Sequence, residues 1–96
     1  MYHIINKIQY MYNQMVYTPI GYTLNQSDAD IINNKYQSFD DWVVNHISEL
    51  NNGTISIAKY FDANPIIYNS HLVTDNIDDM GLSEIININE LLNAIS

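Results

Sequence analysis

No cysteine and no arginine occur in these 96 residues, and there are only three lysines, three glycines and two prolines. Without cysteine, disulfides and thiolate metal sites are excluded. Three lysines against eleven carboxylates leave a net charge of −8. Bare nucleic acid and anionic membrane are therefore poor partners, because both need Lys or Arg to neutralise phosphates. The lone glycines Gly21, Gly53 and Gly81 make no phosphate-cradling loop, and no GxSxG nucleophile elbow is present. The longest apolar runs, such as Trp42-Val43-Val44 and Pro65-Ile66-Ile67-Tyr68, fall far short of the roughly 20 residues of a membrane helix. The N-terminus lacks a basic region followed by an apolar block, so no secretory signal is expected and the cytoplasm is the default location.

What is present is unevenly distributed. Isoleucine, asparagine and tyrosine are abundant, as an AT-rich genome would produce, but lysine codons are A/T-heavy too, so such bias leaves the shortage of cations unexplained. Residues 1–27 contain Lys7 and no acid; all eleven acids fall in 28–96. Beyond Lys59 come Asp62, Asp75, Asp78, Asp79, Glu84 and Glu90 with no cation.

The apolar pattern predicts a single domain over 1–96 that is mostly α, a small bundle of four to five helices. Ile4, Ile5, Ile8, Met11, Tyr12 and Met15 recur at helical spacing, placing a first helix at 2–16. Thr18-Pro19-Ile20-Gly21 reads as a turn. Ser27 would cap a short helix over 28–36. Ser38 followed by Asp41 resembles a capping box ahead of a helix over 39–50, with Phe39, Val43, Ile47 and Leu50 on one face and Asn52-Gly53 as its stop. Ser83 would cap a last helix over 83–95, apolar through Ile85, Ile88, Leu91, Leu92 and Ile95. The segment 54–73 suits either helices or strands; helices are favoured, partly because Asn64-Pro65 makes a good helix start. The alternative is an α+β fold with a short hairpin in 54–73.

Several constellations invite a chemical reading. The stretch from Thr74 to Glu84 holds Asp75, Asp78 and Asp79 ahead of Gly81. Aligned as a calcium loop, it puts Met80 in a ligand position and Asn87 where the closing carboxylate belongs, so exposed charge is expected and no metal. Residues 54–73 resemble a helix-turn-helix in spacing. A recognition helix there would carry no Lys or Arg, and two packed helices without DNA binding are the expectation. His46 precedes Glu49 and His71 precedes Asp75 at helical spacing, which suggests local ion pairs. Asp40-Asp41 and Asp78-Asp79 read as surface charge. No enzyme activity and no cofactor are expected.

The acid-free N-terminus, with Tyr2, Tyr10, Tyr12, Tyr17 and Tyr22 beside Met1, Met11 and Met15, has the composition of an interface centre. Ile4, Ile8, Met11 and Met15 follow a 4-3-4 spacing, as the seam of a homodimer through residues 2–16 would, or as a stripe packed on the domain's own core. The partner-binding candidates are Asp28, Asp30, Asp40, Asp41, Asp75, Asp78, Asp79 and Glu84, with Tyr10, Tyr12 and Tyr17. They lead to a non-enzymatic inhibitor occupying the basic groove of a nucleic-acid-binding protein. In charge character the chain is similar to small phage-borne inhibitors of restriction or CRISPR nucleases, which share no common motif; that would place it in a host cytoplasm. The alternatives are a toxin-neutralising or adaptor protein that binds through the Tyr/Met surface, and a helix-turn-helix regulator.

Overall fold

The N-terminal segment is a β-hairpin and not a helix. Ile4, Ile5 and Ile8 are all fully buried. Neighbours Ile4 and Ile5 point to opposite sides of a strand, so both sides are covered, and a doubly buried strand loses the polar alternation that marks a half-exposed one. Its apolar positions happen also to fit a helical period. In the computed structural model, which describes residues 1–74 and 80–95, β1 spans Tyr2–Met11 and β2 spans Gln14–Thr23. They are joined through Tyr12 (φ 54°) and Asn13 (φ 62°). Two consecutive positive φ angles mark a type I′ turn, whose twist matches the strands it joins. Asparagine favours this conformation; the tyrosine before it is the unusual member and hid the turn.

Pro19 lies inside β2 and is not a turn. Asn6 pairs with Pro19 and Ile5 with Gly21, leaving Ile20 as an extra residue, a β-bulge. A proline is tolerated because β2 is an edge strand. After β2 the chain continues through α1 (Gln26–Asn45), α2 (Ile47–Asn51), α3 (Ala58–Ala63), β3 (Ile67–Val73) and α4 (Ile88–Ile95). β3 returns to pair antiparallel with β1, giving the sheet order β2-β1-β3. The fold is therefore α+β, which overturns the helical bundle. Residues 54–73 hold one helix and one strand. The strand pairs with β1, so neither a hairpin within this segment nor a helix-turn-helix exists, and the regulator reading falls with it. Ile66-Ile67-Tyr68 is β-branched and aromatic, and the waiting edge of β1 decided between the two local options.

α1 replaces two expected helices. Asn25, not Ser27, caps it: its side-chain Oδ1 accepts from the Ser27 amide at 2.9 Å. Ser38 stands mid-helix. Ala29, Ile32, Tyr36, Phe39 and Val43 form one stripe at spacings of three and four, with Ala29, Ile32 and Phe39 buried. Phe39 joins Ile8 and Phe61 in the core, with Tyr10, Met15, Tyr36 and Tyr60 packed around them. Edge-to-face ring pairs bind the cluster, Phe39–Tyr60 at 5.0 Å and Phe39–Phe61 at 5.8 Å. The chain exposes 6205 Å², more than the roughly 5,700 Å² that area scaling gives for this mass. The core is accordingly thin. Trp42 is half-buried between Tyr60 and the stacked ring of His46, whose Nδ1–H donates to the Trp42 carbonyl at 2.8 Å.

Polar side chains finish both sides of β3. Toward β1, the buried Asn6 amide donates to Asn69 Oδ1 at 3.1 Å and to His71 Nδ1 at 3.0 Å. Away from β1, the Ser70 amide donates to Asn33 Oδ1 at 2.8 Å, and Asn33 Nδ2 donates to Ser70 Oγ at 2.9 Å. Asn33 belongs to α1, so the helix meets that edge of the sheet at Ser70.

Ser83 caps no helix. It runs beside β2, where its carbonyl accepts from the Tyr22 amide at 3.2 Å and the Ile85 amide donates to the Tyr22 carbonyl at 2.8 Å. Gly21 permits this approach, since a Cβ there would stand 2.7 Å from Ile85 Cγ1 and 2.8 Å from the Ser83 carbonyl oxygen. Ile85 is thereby held against the sheet, and α4 begins only at Ile88. Its expected apolar side, Ile88, Leu91, Leu92 and Ile95, is half-buried as the periodicity implied, and α4 packs on α1.

Candidate acidic interface

Helix α1 carries four of the candidate acids, and their phase around the axis decides what each can touch. At about 100° per residue, positions 30 and 41 differ by three turns plus about 20°. Asp30 and Asp41 therefore stand in line, roughly 16 Å apart along the axis. They lie on the side opposite the buried stripe, and both are exposed. Each is held from one turn earlier: Gln26 Nε2 donates to Asp30 Oδ1 at 3.0 Å, and Gln37 Nε2 donates to Asp41 Oδ1 at 3.1 Å. The pattern Gln-x-x-x-Asp thus occurs twice, eleven residues apart. It was visible in the sequence, and a search for i,i+4 amide–carboxylate pairs would have found it.

The other candidates are scattered. Asp28 is the one acid in the first turn of α1. It lines an open hollow of about 490 Å³ together with Glu84, Leu24, Ile85 and Ile88, so these two carboxylates, 56 residues apart in sequence, share one wall. Asp40 sits on the flank of α1 nearer the core. With Tyr17 it adds to the effect of burial, which comes first, in pushing the Tyr36 hydroxyl up to about 12. Tyr10 is committed to the interior against Phe61, ring centres 5.8 Å apart. Tyr17 is half-exposed beside Tyr36. Tyr12 stands at the hairpin tip, 88% exposed. Asp75, Asp78 and Asp79 lie outside the described residues, as does the acidic partner expected for His71. Asp40 and Asp41 fall inside α1, far from its N-terminus.

Magnitude limits what this surface can imitate. α1 is about 30 Å long and carries four acids and Lys35, while duplex DNA of that length carries roughly 18 phosphates. The helix offers a sparse line of charge, supplemented by the exposed Glu49, Asp62, Glu84 and Glu90. Among the described residues no group of three His, Asp or Glu could hold a metal ion. No helix among them is long and apolar enough to cross a membrane.

Sequence reasoning missed a second feature. Lys35, Tyr36, Phe39, Tyr60, Pro65 and Tyr68 line a cleft of about 440 Å³. Its walls come from α1, α3, β3 and the end of α4, so no local pattern announces it. Burial raises the pKa of Tyr60 there. Comparison with protein-family models, with curated proteins and with solved structures finds no match.

Proposed function

We propose that this protein is a non-enzymatic acidic binding protein that inhibits a nucleic-acid-binding partner by occupying its basic groove. The observation that carries the reading is the aligned pair Asp30 and Asp41 on the solvent side of α1, each carboxylate oriented by a glutamine. Fixed, exposed carboxylates on a rigid helix lose little side-chain entropy when they meet a row of cations. With eleven acids against three lysines, the surrounding field favours approach to a basic surface and repels nucleic acid itself. The sparse charge of α1 makes the interaction one of a few placed carboxylates and not a phosphate-for-phosphate copy of a duplex.

The test is capture of partners from a bacterial lysate on the tagged chain, with elution by salt or by added duplex DNA. A basic nucleic-acid enzyme released by both, and poorly retained by the Asp30→Asn/Asp41→Asn variant, supports the proposal. A partner that resists salt and DNA and ignores the double variant overturns it. That result would favour instead the toxin-neutralising or adaptor reading, which rests on the exposed Tyr12 at the hairpin tip.

A further inference from the structure

Among the described residues, each edge of the sheet is met at one place and left bare at others, and hydrogen-bond phase shows where. In a two-residue hairpin the pair flanking the turn, here Met11 and Gln14, is a hydrogen-bonded pair. Alternation then turns the amides and carbonyls of Gln14, Val16 and Thr18 toward β1 and those of Met15 and Tyr17 outward. Two independent facts agree with this phase. Pro19, which has no amide to give, falls on an outward position. Beyond the bulge, Tyr22 is outward again and bonds Ser83 and Ile85. On the far side of the sheet, Ser70 of β3 is outward and is met by Asn33. The outward groups of Met15 and Tyr17 meet no such partner among the described residues.

We propose that these groups pair with the same groups of a second copy, joining two β2 strands antiparallel about a two-fold axis at Val16. Met15 of each copy would then face Tyr17 of the other, and the four amides and carbonyls form two closed pairs. The surface is complementary to itself in this register alone among those that use only Met15 and Tyr17. Pro19 comes to lie opposite Asn13 of the neighbouring turn, where strand pairing has ended, so its missing amide is not required. Charge favours the same occupant. Two chains of net charge −8 repel, yet residues 1–27 contain no acid, and β2 is the edge on which that repulsion is weakest. Tyr12, Tyr17 and Ile20 expose apolar surface beside it. The pairing is two-fold and isologous, so each copy uses its β2 edge once and the contact ends at a dimer. This interface is independent of the acidic surface on α1, and it replaces the helical seam once expected of residues 2–16.

Sedimentation equilibrium of the full chain, from nanomolar to high micromolar concentration, should show a reversible monomer–dimer transition. Amide exchange read by NMR or mass spectrometry should slow about tenfold at Met15 and Tyr17 when nine chains in ten are paired. The variant Tyr17→Pro removes an outward amide while leaving every bond from β2 to β1, and it should remain monomeric with an unchanged circular dichroism spectrum. A wild-type chain that stays monomeric throughout overturns the proposal. So does a dimer in which the Met15 and Tyr17 amides exchange as fast as in the monomer, a reading that stands even if Tyr17→Pro fails to fold.

Discussion

The hairpin of residues 1–23 and the helix α1 are built from opposite materials. The hairpin has no acid and supplies Ile4, Ile5 and Ile8, which are wholly buried; α1 has four acids and buries a single stripe. The hairpin's central strand is covered on both faces, so nearly every substitution in β1 meets packed neighbours. On α1 only one position in three or four does. Stability is therefore concentrated in the hairpin and its contacts, and changeable surface on the helix. The division would suit the proposed binding role, because residues that meet a partner must vary without unfolding the scaffold.

The comparison would break first at Ile8, where strand and helix meet in the core. Ile8→Ala should cost about 2–5 kcal/mol in chemical denaturation, since it opens a cavity beside Phe39 and Phe61. A loss below 1 kcal/mol would mean that the thin core collapses to fill the space. Gly21→Ala comes next. Its Cβ would strike Ile85 and the Ser83 carbonyl, and displacing that segment should cost about 1–3 kcal/mol. Raised exchange at the Tyr22 and Ile85 amides would show that the segment has left the sheet. Asn33→Ala probes the helix side and should cost about 0.5–1.5 kcal/mol by removing the acceptor of the Ser70 amide, an exposed bond that water can partly replace.

The smallest effect is alkaline. Tyr36 keeps its proton to about 12 in the fold, against 10.0 for an unperturbed tyrosine. The unfolded chain then releases this proton first, so stability is full below about pH 10 and declines as pH rises toward 12. Part of Tyr36 stays in contact with water, and the decline should be shallow. Phenolate absorbance should show one tyrosine titrating late, and Tyr36→Phe should flatten the alkaline slope.

How much of this was legible depended on whether the deciding contact was local. The apolar face of α4 and the Phe39–Val43 part of the face on α1 were readable because each helix buries one side and leaves the other wet. Ile47, expected on the same face, lies beyond the end of α1 and is exposed. β1 was not, because burial on both faces erases the alternation that identifies a strand, and Ile4, Ile8, Met11 and Met15 mimic a helical seam. The turn escaped notice because Tyr12 takes a positive φ that glycine or asparagine usually marks. Ser27, Ser38 and Ser83 were plausible caps in isolation, but Asn25 took one role, α1 ran through the second, and pairing with Tyr22 claimed the third. Of the site residues, those on α1 were found as acids. Their alignment, and the inward fate of Tyr10, required knowing that one helix spans 26–45 and that Phe61 lies over the hairpin.

The Asn6 amide, shared between Asn69 and His71, has a consequence for how the chain finds its fold. β1 and β2 are adjacent and can close quickly, but β3 must be recruited across more than forty intervening residues, a slow search. An apolar strand offered several alignments would hold the wrong ones almost as well as the right one. A buried amide rejects them: shifted by one residue, β3 would present neither Asn69 nor His71, and Asn6 would be left without its acceptors. The two halves of the chain thus carry a checking step, in which a misaligned β3 detaches more readily than it locks, and Asn6 performs it.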